Sequence, residues 1–165
     1  MTDLDSGNLI IFGGDEELCK DASKFFKQYT LCKQQDHIIT DKFSASLAKY
    51  TINSFLANKV IFFNEISKIF NSTETNESWE DFINIVSLDK RIGDSHMQVP
   101  GPDGRKGFGG ACFPKDTEAF YSYSKKISSE FSLLKKTISI NKKIRSLYNS
   151  PTERESEQNI SFKED

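Results

Sequence analysis

The chain has 165 residues, a formal net charge of −2 and an apolar fraction of 36% that includes 14 Phe. That length allows one domain with a real core, and the near balance of charge gives no broad electrostatic case for nucleic acid. No apolar run reaches the roughly 18 residues of a membrane span, the start MTDLDSGN is no secretion signal, and three cysteines without CxxC spacing argue against a disulfide framework or a zinc site; a cytoplasmic, metal-free protein is expected.

Taken in order, Asn8 to Gly14 (NLIIFGG) reads as a short strand closed by a glycine turn. Asp15 can cap the helix that follows, with Glu16 and Glu17 in its dipole-favoured first turn. Leu18, Cys19, Ala22, Phe25 and Phe26 share one helical face, which makes Cys19 a core residue. Thr30 to Thr40 is a connector with a second strand around His37 to Ile39, and Cys32 within it has no visible role. Neither His37 nor His96 has a metal-ligand partner at useful spacing, so both read as structural or surface residues.

Thr40 or Asp41 opens the longest predicted helix, which runs to about Asn71 and spans on the order of 45 Å. Its apolar residues, from Phe43 through Phe55 and Phe62 to Phe70, cover too wide an arc for one small domain to bury, which predicts a partner chain and hence a homodimer. Lys49 and Asn53 stand at i, i+4 on one face, whereas Lys59 lies off that face and reads as snorkelling. After the polar break NSTETNES, Ser78 caps a helix from Trp79 to Leu88 whose buried face is Trp79, Phe82, Ile83 and Val86. In Asp89 to Gly93 (DKRIG), Arg91 is placed to pair with Asp89 or Asp94.

Val99 to Phe120, VPGPDGRKGFGGACFPKDTEAF, is the most distinctive stretch, with five glycines and two prolines ahead of Cys112. Such glycines let backbone approach a bound molecule closely or adopt φ > 0. Pro114 suits the first turn of a helix, which puts Cys112 beside a helix N-terminus that favours thiolate over thiol. Asp116 follows at four residues, within one turn of the sulfur. By spacing alone, a reactive cysteine in a glycine-lined pocket and an inert buried cysteine are equally compatible with this pattern. Helix continues over Lys115–Lys126, a last one runs from Glu130 to Tyr148, and 151–165, with five acidic and two basic side chains, is expected to be a disordered tail.

VPGPDG followed by GFGGACFPKD, with RIG upstream, resembles the active-site segment of the UDP-glucose dehydrogenase family, closest to its UDP-glucose 6-dehydrogenase branch. KYTIN followed by SFLANKVIFFNE is similar to that family's central helix. The resemblance covers about Asn8 to Leu147 and only the middle of a family enzyme. It implies a mainly α fold for 1–150, a helical central dimerisation domain like that of 6-phosphogluconate dehydrogenase, with one long central helix and a short N-terminal strand. It also implies the chemistry: UDP-glucose oxidised twice at C6, with NAD, to UDP-glucuronate through a thioester on Cys112. Lys49 and Asn53 would face the reacting carbon, and Asp116 would assist the water. Arg91 would reach across a dimer to the partner's UDP-sugar, while Gly109 and Phe108 would contribute to substrate binding and Asn64 and Glu65 to polar support.

The same resemblance marks what lies outside it. No GxGxxG follows a predicted strand, so NAD is implied by the family without a site in this chain. The family's NAD-binding domain, its catalytic glutamate and its carboxy-terminal UDP-binding domain have no counterpart here. The chain therefore reads as a central domain alone, working with a separately encoded NAD-binding domain or serving as a non-catalytic helical module that pairs with dehydrogenase chains.

Overall fold

The computed structural model describes residues 9–31 and 36–162, so Asn8, Cys32 and the last three residues lie outside the described part. The chain divides into two compact units, Met1–Thr51 and Ile52–Asp165, where the sequence predicts one. The fold is mainly α: six helices and two short strands among the described residues.

The first unit is a β-α-β arrangement. Strand β1 (Leu9–Gly13) pairs in parallel with β2 (Asp36–Thr40), from Leu9 opposite Asp36 to Gly13 opposite Thr40. The crossover is helix α1 (Glu16–Tyr29), and it starts where its N-cap dictates: Asp15 accepts from the N–H groups of Glu17 and Leu18 at 3.1 Å each, an arrangement worth about 1 kcal/mol. Parallel strands need such a crossover, which fixes the order of the elements. Phe12 stands edge-on to Phe26 at 5.6 Å, and Cys19 is buried as expected. His37 is structural, with Nδ1 2.8 Å from the Ser23 hydroxyl.

Helix α2 (Lys42–Phe70) begins in the first unit and continues into the second as its backbone. The second unit adds α3 (Trp79–Ser87), α4 (Cys112–Lys126), α5 (Ser132–Arg145) and the short α6 (Glu153–Glu157). Two apolar clusters organise it. Ala57 and Ile61 of α2 meet Phe108 and Ile144, while Phe63 meets Ile83 and Met97 beneath Trp79 and Phe82. Ser78 caps α3 as predicted, accepting from the Asp81 N–H at 3.1 Å.

Two expectations change here. Lys59 does not snorkel: it is buried, and its ammonium donates to the Ile92 and Gly93 carbonyls at 2.9 and 3.3 Å, tying α2 to the turn after α3. Burial lowers its pKa, with Asp94 pulling the other way. Nor is the tail disordered over its described part. Thr152 and Glu155 form a reciprocal capping box at the start of α6, and Glu155 is only 1% exposed. A polar composition predicts disorder when nothing buries its charges; here a buried arginine does.

Candidate active site

The site is built around the glycine loop, and the loop is held by asparagines from two helices. Gly107 N–H donates to Oδ1 of Asn64 on α2 at 3.0 Å. Phe108 N–H donates to Oδ1 of Asn141 on α5 at 2.7 Å, and Asn141 Nδ2 returns a bond to the Phe108 carbonyl at 2.9 Å. Both asparagines are buried, so the Gly107 N–H and both backbone polar groups of Phe108 have partners out of reach of water. Gly107 has φ 75°, and a Cβ there would lie 2.6 Å from Asn141 Oδ1, so only glycine fits. At Gly109 a Cβ would collide with the guanidinium of Arg145 and the carboxylate of Glu155. The Phe108 side chain is 4% exposed and belongs to the core, although the residue also lines the cleft described below.

Cys112 opens α4 and is exposed. Ala111 in the cap position makes no side-chain bond to the helix end, and Pro114 occupies the first turn as expected. One turn on, Asp116 is 1% exposed, with Oδ2 accepting from Asn53 Nδ2 at 2.6 Å and Oδ1 accepting from Lys115 Nζ at 3.1 Å. The structure thus brings together three of the predicted site residues: the cysteine and the aspartate on α4, and the asparagine reaching in from α2. Lys49, at i−4 from Asn53 on the same helix, lies in the first unit, with its ammonium 5.3 Å from the centre of the Tyr50 ring. Arg91 is exposed and makes the surface pair with Asp89 that its spacing allows, 2.5 Å from Nη2 to Oδ2.

A cleft of about 660 Å³ runs beside the loop, with Gly107 to Gly110, Phe113, His96 and Gln98 among its lining residues. The His96 ring lies 5.4 Å from that of Phe113, and burial, with the charge of Lys59, lowers its pKa. The size suits a small-molecule ligand.

Beneath the loop is an ionic group that sequence reasoning missed. Arg145, 2% exposed, donates from Nη1 to Asp103 Oδ2 at 2.8 Å and from Nη2 to Glu155 Oε1. Glu155 also accepts from the Thr152 N–H at 2.7 Å and the Gly110 N–H at 3.4 Å. Burial opposes ionisation of Glu155, but the Thr152 N–H and the Arg145 charge outweigh it and hold the carboxyl below its ordinary 4.5. Arg145 could not be singled out by pattern, because a basic residue in the last turn of a helix is expected for the helix dipole alone.

This is a helical domain that presents a cysteine at the end of a glycine loop, over a carboxylate fixed by the central helix. The profile of the UDP-glucose/GDP-mannose dehydrogenase family, central domain, matches residues 43–143, and the chain belongs to that family. It is 34% identical over 136 residues to the UDP-glucose 6-dehydrogenase YwqF of Bacillus subtilis, covering 82% of this chain and 28% of that protein. It is 38% identical over 105 residues to the UDP-glucose 6-dehydrogenase of Rickettsia felis, covering 64% of this chain and 22% of that protein. Among solved structures, a UDP-glucose dehydrogenase from Pyrobaculum islandicum superposes with a TM-score of 0.69 at 29% identity, over 86% of this chain and 30% of that one. The chain therefore spans less than a third of the length of these relatives.

Proposed function

We propose that this chain carries the catalytic-cysteine part of an NAD-dependent UDP-glucose 6-dehydrogenase, which forms UDP-glucuronate from UDP-glucose in two oxidations. The observation that carries the reading is the Asn53–Asp116 hydrogen bond, which joins the central helix to the buried carboxylate one turn beyond Cys112. NAD supplies the hydride acceptor in such an enzyme.

The covalent half falls to the chain's own residues. The Cys112 thiolate attacks the C6 aldehyde; the sulfur–carbon bond forms, and the carbonyl π pair moves onto oxygen. The Asn53 amide stabilises that oxyanion. At the thioester stage, Asp116 accepts a proton from water as water adds to the carbonyl. The thiolate of Cys112 then leaves, and the carboxylate product is released. Gly109 and Phe108 line the sugar side of the site, and Arg91 reaches the UDP-sugar of a second copy. The test is turnover by the chain completed with an NAD-binding domain, in which Cys112→Ala should abolish UDP-glucuronate formation. An unchanged rate would remove Cys112 from the mechanism.

One observation favours a dimerisation role as well. Within the second unit, α2 leaves Ile52, Phe55, Phe62 and Ile69 exposed at 44–65%, a stripe that a second copy would cover. Sedimentation at micromolar concentration should then give a dimer; a stable monomer would remove both the interface and the cross-subunit role of Arg91. The described residues include no helix long and apolar enough to cross a membrane.

A further inference from the structure

The segment after α5 lies outside the residues matched by the family profile, 43–143, yet it forms part of the cleft. Thr152, Glu153 and Arg154 line it together with Pro102, Asp103 and Gly107 to Gly110 of the glycine loop. We propose that residues 151–157 are a specificity segment of the nucleotide-sugar site, anchored beneath the loop by Glu155 on Arg145, with Arg154 recognising the negatively charged phosphates of the ligand. The inference rests on the nucleotide-sugar reading given above and names a residue which that reading does not use.

Three observations support it. First, the anchor is built: Glu155 is 1% exposed, bonded to Arg145, to the Thr152 N–H and to the Gly110 N–H, so the segment and the loop share one buried carboxylate. Arg105 strengthens the join, donating to the Ser150 carbonyl at 2.6 Å, as does Tyr148, whose hydroxyl accepts from the Lys106 N–H at 2.8 Å. Second, the charges are sorted. The arginines that could neutralise a ligand from below are occupied, Arg145 by Asp103 and Glu155 and Arg105 within 4.0 Å of Glu155, whereas Arg154 is exposed on the cleft wall. Third, Gly107 to Gly110 line the same cleft as Arg154, and a planar five-donor fork suits phosphate oxygens. Glu153 beside it disfavours a ligand whose negative charge is misplaced, which is how a mixed-charge wall discriminates.

Calorimetric titration of the full chain with UDP-glucose, UDP and glucose tests this. Arg154→Ala should weaken UDP-glucose and UDP about tenfold, the usual size for one lost charge-assisted contact, with Arg154→Lys restoring part of the affinity and glucose unaffected. Glu155→Gln should weaken the same two ligands by releasing the wall. Equal UDP-glucose affinity in the wild-type and Arg154→Ala chains overturns the inference and leaves the nucleotide-sugar reading standing. A wild-type chain that binds no UDP-glucose up to about 10 mM, weaker than the millimolar end of the affinity scale, overturns both.

Discussion

Arg145→Ala is expected to cost about 3–5 kcal/mol of folding stability, the usual penalty for removing one partner of a buried ion pair. Arg145 and Glu155 both have side chains 1% exposed, so the carboxylate left behind would be an uncompensated buried charge. Asp103 would lose its partner too, and the glycine loop would lose the support beneath Gly109. Much of the penalty comes from stranding charge, so replacing Arg145 and Glu155 together by apolar residues of similar volume should recover most of it. Urea denaturation measures both; a loss under about 1 kcal/mol, the range of exposed pairs, would mean the pair is solvated. The same pair sets a pH dependence. Glu155 has a folded pKa held below its ordinary 4.5, so its stabilisation is present above that value and lost as pH falls through the lower folded value. Glu155→Gln should flatten the acid limb of the stability curve, and an unchanged limb would contradict the assignment.

Asn53→Ala should have a large effect on chemistry, second to that of removing the Cys112 sulfur. Under the proposed mechanism the substitution removes a donor to the oxyanion at C6 in the completed enzyme, for which losses of about 10²–10³-fold in kcat are typical. It also leaves Oδ2 of the buried Asp116 without the 2.6 Å amide bond that fixes it. Asn53→Asp keeps the shape but sets a second carboxylate against Asp116, so it should be at least as damaging, whereas a purely packing role would tolerate it. KM for UDP-glucose should change less than kcat, because the contact forms in the transition state. A variant within about threefold of wild type in kcat would move Asn53 from oxyanion stabilisation to support of α4.

How far the sequence led is clearest at particular residues. Asp15 and Ser78 announce their helices because a short acceptor side chain before an apolar-periodic run has one obvious use. Cys112, Pro114 and Asp116 lie within one turn, and their order alone places a cysteine at a helix start and a carboxylate behind it. The long helix was legible from its apolar content. Lys59 was misread because helical periodicity cannot show that two carbonyls, 33 and 34 residues on, turn toward its ammonium. Asn141 and Arg145 escaped for a similar reason: on α5 they look like the polar face of an amphipathic helix, and only the loop packed over them reveals them as its supports. Glu155 escaped because the 15 residues from 151 onward contain so little to bury that composition favours disorder.

If Cys112 lies in a nucleotide-sugar site, a bound nucleotide sugar should protect its sulfur from alkylation. Cys112 is exposed and Cys19 buried, so iodoacetamide followed by peptide mass mapping should label Cys112 and largely spare Cys19. Saturating UDP-glucose should then slow Cys112 labelling by about tenfold or more, as about 90% occupancy of a shielding site requires, while glucose at the same concentration should not. Labelling of Cys112 at the same rate with UDP-glucose bound as without it would contradict the claim.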